Sequence, residues 1–431
     1  MTRPCSTSIY AEACELIPAG VNSPVRACKG LINPPMIAAS GSGAFLYDAD
    51  GREYIDYCMS WGSLILGHAH PVVVDAACKQ MHRGSSFGIA TKMEVEMARI
   101  IASLIPSVEK LRLVSSGTEA SMTAMRLARG YTERSKIIKF SGHYHGHSDA
   151  LLISAGSGVA GLNPMATSKG ISAGIIADTL CFSFNDFASV RSFFRTDPRA
   201  YETAAVILEP ITGNMGVILP EPGFLEMLRE ETERVGALLI FDEVITGFRI
   251  GLNGVQGLYG IDPDLTCFGK IIGGGFPAAA VGGKRKILDC LAPLGQVYQA
   301  GTLSGNPVAV SAGLATLSLI QEEGFYQDLE RKTRRLTLPI EEAISKNNLN
   351  ACLHQAGSMF SLFFGIRTAR SKEDLKNLDE QTFTQFFRAL FDQGVYIPPS
   401  PLEAWFVSKA HTDAQLDATA EKIVAFLYGI S

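Results

Sequence analysis

From about residue 70 onward, short continuous apolar runs alternate with longer helical patterns, and this rhythm limits the fold more than any other feature. LRLVS (111–115) precedes a helical stretch over 118–130, and KIIKF spans 136–140. AAVILEP (204–210) precedes a second helical stretch over 224–235, and ALLIFDE (237–243) and LTCFG (265–269) follow. A strand with one face in water alternates polar and apolar residues, whereas one that is apolar throughout is covered on both faces. Such strands between helices predict an α/β fold, a mostly parallel central sheet with helices on both faces. Upstream, turn signals at Asn22-Ser23-Pro24, Asn33-Pro34-Pro35 and Asp50-Gly51 surround the segments 43–47 and 53–57, which predict short antiparallel strands. After Asn306-Pro307 a small-residue helix, PVAVSAGLATLSLI, leads into a charged helical stretch, and short elements resume from about residue 350. The expected divisions are an N-terminal segment over 1–65, a large domain over 66–315 and a smaller α+β domain over 316–431 that packs with the N-terminal strands.

At 431 residues the chain can bury a core without metal or disulfide staples. Its 38 Lys and Arg against 43 Asp and Glu give a net charge of −5 with no basic tract, which argues against a nucleic-acid partner. Gly, Pro and charged residues interrupt every apolar run before the roughly 18 to 20 residues that span a bilayer, so no membrane partner is expected. The N-terminus lacks a basic segment followed by an apolar stretch, which points to the cytoplasm. Nine cysteines with no C-x-x-C pair argue against a zinc ribbon or a disulfide framework and read as buried small hydrophobes.

Three places carry chemistry. Ser115-Ser116-Gly117-Thr118-Glu119 lies between an apolar strand and a helix. Ser116 and Glu119 have capping-box spacing, and the same turn aims backbone N–H groups and hydroxyls at the positive end of a helix, which suits a phosphate. An ordinary helix start and a phosphate site both fit it. In LLIFDE an apolar strand ends in Asp242 and Glu243, and ligands of open α/β sheets gather at such carboxyl ends. Neighbouring strand residues face opposite ways, so these two carboxylates serve different purposes. A metal or a pyridinium nitrogen would each satisfy Asp242. Lys270 follows another apolar strand and precedes Gly273-Gly274-Gly275. An apolar, glycine-rich setting desolvates an amine, lowers its pKa and makes it a Schiff-base former. A phosphate turn, a buried Asp and a desolvated Lys are together the parts of a pyridoxal 5′-phosphate site.

The run Phe241-Asp-Glu-Val-Ile-Thr-Gly-Phe-Arg followed by Lys270 resembles the signature of the class III aminotransferases, which are fold-type I pyridoxal-phosphate-dependent transferases. More narrowly, GVNSPVRA (20–27), Ser60-Trp-Gly with Gly67-His-Ala-His-Pro, Tyr144-His-Gly-His and YQAGTLSGNP (298–307) resemble the aminomutase branch of that family. The resemblance runs from about residue 8 to the C-terminus. It implies an intramolecular amino exchange in tetrapyrrole (porphyrin) biosynthesis, in which (S)-4-amino-5-oxopentanoate becomes 5-aminolevulinate through 4,5-diaminovalerate. The implied cofactors are pyridoxal 5′-phosphate and pyridoxamine 5′-phosphate. Lys270 is then the catalytic lysine, Asp242 the partner of the ring nitrogen, Tyr144 the residue stacked on the ring, and Ser116, Gly117 and Thr118 the phosphate turn. The implied assembly is a homodimer in which Gly301 and Thr302 of the partner subunit complete the phosphate cup. Arg26 with Ser23 and Trp61 would hold the substrate carboxylate, Glu403 would distinguish the pocket from those of dicarboxylate-using relatives, and Asn214 and Tyr298 would also line it. Taken without the resemblance, Tyr144 reads as simple packing and Arg26 as a solvated arginine. A class III ω-aminotransferase using a separate keto-acid acceptor is the alternative.

Two patterns compete with this reading. Gly156-Ser-Gly-Val-Ala-Gly161 fits a dinucleotide fingerprint with Asp178 downstream, but Asn163-Pro164, Gly170 and Gly174 argue against the helix that must receive a pyrophosphate. These glycines read as hinges of a lid over 153–181. His143, His145 and His147 alternate as on one side of a strand, with His68 and His70 upstream, and could serve a metal; their aromatic and glycine neighbours favour a structural or cofactor role, so no metal is expected. The chain departs from the usual family pattern at Met59, Ser63, Ser115, Trp405 and Phe406.

Overall fold

The computed structural model describes residues 5–153 and 168–430, which form two compact units. The first comprises 1–71, 326–368 and 377–431; the second comprises 72–325 with 369–376. The GxGxxG stretch and residues 154–167 of the expected lid lie outside the described residues. Of the lid's remainder, Ala173–Ala177 is a five-residue helix that includes Gly174, and Thr179–Phe182 is a strand of the central sheet. That end of the segment is therefore scaffold and not lid.

The larger unit is built on seven strands in the spatial order Lys110–Val114, Ala279–Gly283, Leu265–Phe268, Leu238–Asp242, Thr203–Leu208, Lys136–Phe140 and Thr179–Phe182. Ala279–Gly283 runs antiparallel to both its neighbours and the other pairings are parallel. Every residue of Thr203–Leu208 and Leu238–Asp242 is buried, so both faces of the sheet are covered, as the continuous apolar runs require. Two strands escaped the sequence reading. TLCF is too short, and AAVGG too glycine-rich, to stand out by composition; both are held by pairing with established neighbours.

The small-residue helix Pro307–Ile320 packs on Lys92–Leu104 and on the turn Lys270–Gly273. A Cβ on Gly313 would stand 2.0 Å from the carbonyl oxygen of Ile272, and one on Gly274 would stand 2.6 Å from that of Ala312. The helix and the lysine turn meet backbone to backbone, and larger side chains would hold them apart. Because of this contact the helix stays with the larger unit, which the chain leaves at Phe325 rather than near 315.

In the smaller unit, Ala38–Ser42, Phe45–Asp48 and Glu53–Asp56 form an antiparallel meander, and Val395–Tyr396 adds to Glu53–Asp56 in parallel. Ala351–Ala356, Met359–Phe364 and Trp405–Phe406 form a second, antiparallel sheet. Both termini thus build one α+β unit, with a core that includes Leu336, Phe360, Phe386, Trp405 and Ile423. Trp405 stacks on Phe386 at 5.9 Å within that core. Phe406 packs over Gly62, whose Cβ would stand 2.7 Å from its ring. The aromatic pair that departs from the family pattern is therefore core packing and the support of a turn. Of the nine cysteines, Cys28, Cys58, Cys181 and Cys267 are buried, whereas Cys5, Cys14 and Cys78 are exposed, contrary to their expected burial. Among the described residues no helix is long and apolar enough to cross a membrane.

The close approach at Gly313 yields a test. Gly313→Ala should destabilise the protein by about 1 to 3 kcal/mol, read by thermal unfolding, because the methyl group meets backbone that cannot rotate away. An unchanged melting temperature would show that the helix does not hold the Lys270 turn.

Candidate active site

The parallel strands of the larger unit end along one edge of the sheet. In register, Asp242 stands beside Cys267, Phe241 beside Leu208, and Ala280 beside Phe268. The segments leaving these ends carry Ser116–Thr118, 143–147, Glu209, Asp242 and Lys270 on one side of the sheet, where open α/β folds bind ligands.

Asp242 is 5% exposed and accepts a hydrogen bond from His145 Nδ1 at 2.7 Å and another from the Val244 N–H at 3.1 Å. His145 is fully buried at the ring, and its Nε2 has no hydrogen-bond partner among the described residues. Glu243 turns away, as strand alternation predicts: it accepts from the Val255 and Gln256 N–H groups, Gln256 Nε2 and Thr246 Oγ1. Burial pushes the pKa of this carboxyl up, and these four donors oppose the shift. It fastens a loop, while Asp242 faces the site edge.

The segment 143–147 is irregular, not the strand its alternating histidines suggested. Partners on several elements hold it. His143 Nδ1 accepts the Glu209 N–H at 3.0 Å, the Tyr144 N–H donates to Glu209 Oε1 at 2.9 Å, and Ser121 Oγ donates to the His145 carbonyl at 2.5 Å. His147 Nδ1 lies 3.2 Å from Thr118 Oγ1. The three imidazoles thus face three different partners, and among the described residues no group of three or more His, Cys, Asp or Glu converges as metal ligands do. Burial, then the nearby His145 and Lys139, press the pKa of His143 well below its ordinary value, so the ring is neutral and its Nδ1 free to accept.

Glu209 was not singled out in the sequence, although an apolar strand ending in a carboxylate was the signal that marked Asp242. Its Oε2 accepts from the N–H groups of Gly213 and Asn214 at 2.8 and 3.3 Å. Burial raises its pKa, with Asp242 adding to the rise and His145 opposing it. Glu209 thereby joins the 143–147 segment to 213–214. Asn214 Nδ2 also donates to the Tyr144 carbonyl at 3.5 Å.

Ser116 caps the helix Gly117–Thr132 by accepting the Glu119 N–H. Glu119 reaches back to the Ser115 N–H at 2.5 Å and not to that of Ser116, so the capping box is offset by one residue. The first-turn N–H groups of Gly117 and Thr118 have no intrahelical acceptor and remain for an anion. Close approaches bring this turn to the other parts. A Cβ on Gly146 would stand 2.4 Å from Thr118 Oγ1, and Cβ atoms on Gly117 and Gly269 would stand 3.2 and 3.1 Å from Val244 Cγ1. Val244 thus packs against both the Ser116–Thr118 turn and the residue before Lys270. Lys270 is half-buried and takes a left-handed φ of 46°, a conformation that costs a non-glycine residue on the order of 1 to 3 kcal/mol and clusters at functional sites. Tyr144 is 44% exposed over this edge, and burial followed by the charge of Asp242 raises the pKa of its phenol.

The structure thereby joins Ser116, Gly117, Thr118, Tyr144, Asn214, Asp242 and Lys270. A carboxylate facing the edge, a buried histidine behind it, free helix N–H groups, an exposed aromatic ring and a strained lysine fit a flat, anionic pyridine cofactor. Gly301 and Thr302 are exposed and line a different groove with Phe87, Ile89 and Glu94, while Tyr298 is 70% exposed. Ser23, Arg26, Trp61 and Glu403 belong to the smaller unit. Ser23 starts the short 3₁₀ turn Pro24–Ala27, whose Arg26 is exposed. Met59, Ser60 and Trp61 have φ of 45°, 52° and 58°, a left-handed turn that presents Trp61 half-buried. The segment that follows Glu403 runs past this turn, with the Phe406 N–H donating to the Tyr57 carbonyl at 2.8 Å.

The family model Aminotransferase class-III matches residues 29–425. The chain belongs to the class III aminotransferases. It is 55% identical over 427 residues to the glutamate-1-semialdehyde 2,1-aminomutase of Protochlamydia amoebophila (strain UWE25), covering 99% of each chain. Among solved structures it is similar to an omega-transaminase from Sphaerobacter thermophilus, with a TM-score of 0.90, 31% identity and coverage of 98% and 97% of the two chains. It is also similar to a transaminase with PLP bound, with a TM-score of 0.87, 30% identity and coverage of 99% and 97%.

The neutral state of His143 sets a pH dependence. A histidine whose folded pKa lies below its unfolded value contributes stability above that value and loses it as pH falls. Between pH 6.5, the ordinary histidine value, and about pH 5, where carboxylates begin to titrate, the melting temperature should therefore fall on acidification. His143→Gln should make that fall shallower, and an equal slope would rule out His143 as a source of it.

Proposed function

We propose that the protein converts glutamate 1-semialdehyde, (S)-4-amino-5-oxopentanoate, into 5-aminolevulinate by moving an amino group within one molecule. The observation that carries the reading is the 55% identity over 99% of both chains with a relative named for that activity. The 31% identity with an omega-transaminase is the finding that keeps the ω-aminotransferase alternative in play.

Pyridoxal 5′-phosphate and its amine form supply, when bound, an electron sink and an exchangeable amino group. Around them the chain's own residues hold the cofactor and the substrate and move protons. Asp242, fixed by His145, holds a proton on the ring nitrogen. The Gly117 and Thr118 N–H groups and the Ser116 and Thr118 hydroxyls bind the phosphate, and Gly301 and Thr302 of the partner subunit complete that cup in a homodimer. Tyr144 covers a ring face. Lys270 takes a proton from one substrate carbon and returns it to the next. Arg26, with Ser23 and Trp61, holds the substrate carboxylate, since a guanidinium in an exposed turn can bind it through two hydrogen bonds. Glu403, Asn214 and Tyr298 line the substrate site. 4,5-Diaminovalerate must stay in the site between the two halves of the reaction, so exclusion of water and slow escape matter as much as the proton transfers.

The test is to supply the cofactor-loaded protein with glutamate 1-semialdehyde and no amino acceptor, and to follow 5-aminolevulinate. Sustained product over many turnovers is expected, and Lys270→Ala should abolish it. A stall after one half-reaction, relieved by a keto acid, would establish the ω-aminotransferase instead.

A further inference from the structure

Lys139 lies in the middle of the buried strand Lys136–Phe140 and is fully buried. Its ammonium donates to the carbonyl oxygens of His143, at 3.1 Å, and Ile153, at 3.0 Å. Among the described residues no carboxylate bonds it directly; the titratable groups that face it are Cys181, Glu209 and the neutral His143. A buried strand position favours an apolar residue, and an ammonium placed there is costly unless its donors are used. Among the described residues two of its three protons are used, and one anchors the residue from which the cofactor-edge segment departs.

We propose that Lys139 is a positioning residue for the cofactor site. Its ammonium fixes the His143 carbonyl and so sets where Tyr144 and His145 stand. His143 is followed by the ring expected to cover the cofactor and by the imidazole that orients Asp242. Its own ring is pinned by the Glu209 N–H, so the carbonyl and imidazole of one residue are held from a strand and from the residue that follows its neighbour Thr203–Leu208. Shifting the carbonyl rotates the peptide whose N–H meets Glu209 Oε1 and carries His145 away from Asp242. The charge strengthens these bonds, because an ammonium donor is stronger than a neutral one in a dry site. Burial brings its pKa down to about 8, with Cys181 and Glu209 opposing the fall.

This inference rests on the cofactor reading, and the experiment separates the two. Pyridoxamine 5′-phosphate is titrated into the apoprotein by calorimetry, and the induced circular dichroism of the bound ring is recorded. Lys139→Met leaves both carbonyls without a donor and should raise Kd about ten- to a hundredfold and change the dichroism. Val190→Ala opens a cavity in the helix Phe187–Thr196, which supplies none of these donors or acceptors; it lowers stability without those effects and serves as the control. Lys139→Gln, whose amide nitrogen falls one atom short of the Nζ position, covers the case in which the Met variant fails to fold. It should weaken binding by a smaller factor, about three- to tenfold. If the folded variants bind within twofold of the parent protein with an unchanged dichroism signal, Lys139 is structural and the proposal falls. If the parent protein itself does not bind the cofactor, it is the cofactor reading that fails.

Discussion

The hydrogen bond between His145 Nδ1 and Asp242 Oδ2 is the contact on which the site depends. A carboxylate at the end of a buried strand needs a partner. His145 gives Asp242 one that fixes its orientation while leaving its site-facing side for a ligand. His145 is in turn useful only if the irregular segment that carries it is fixed. The surrounding chain meets that demand through Lys139, Glu209, and Ser121 and Thr118 of the helix Gly117–Thr132, three separate parts of the larger unit. The result is a loop with the rigidity of a strand at the point where rigidity sets chemistry.

The second constraint is closeness of backbone. Gly146 lies on Thr118, Gly117 and Gly269 lie on Val244, and Gly313 lies on the turn that begins with Lys270. These contacts gather three loops and a helix into a volume that side chains would otherwise fill. They also explain why Lys270 can be held at a left-handed φ: packed neighbours on both sides over-determine its turn.

The fold was legible because the apolar runs are continuous, and their order along the chain marked the strand that ends at Asp242 and the one that ends two residues before Lys270. What composition could not show were TLCF and AAVGG, which become strands only by pairing. Asp242, Lys270 and the 116–118 turn were legible because an ionisable or glycine-rich stretch after an apolar strand is unusual. Glu209 carried the same signal and passed as the end of a strand. His145 was visible as a residue, but its partner, 97 positions away, could be supplied only by the register of the sheet. Lys139 was hidden inside KIIKF, where nothing in the composition sets it apart from Lys136 at the start of the strand. Its neighbours show instead a buried ammonium between two carbonyls. The substrate residues in the smaller unit rest on resemblance, since a lone arginine in an exposed turn has no physical signature of its own.

The central claim is that Asp242, oriented by His145, keeps a proton on the ring nitrogen of the bound cofactor. Nuclear magnetic resonance of the holoprotein carrying ring-nitrogen-15 pyridoxal phosphate measures this directly. The account predicts a protonated nitrogen across the neutral pH range, and loss of that state in Asp242→Ala. An unprotonated nitrogen in the parent protein would contradict the account.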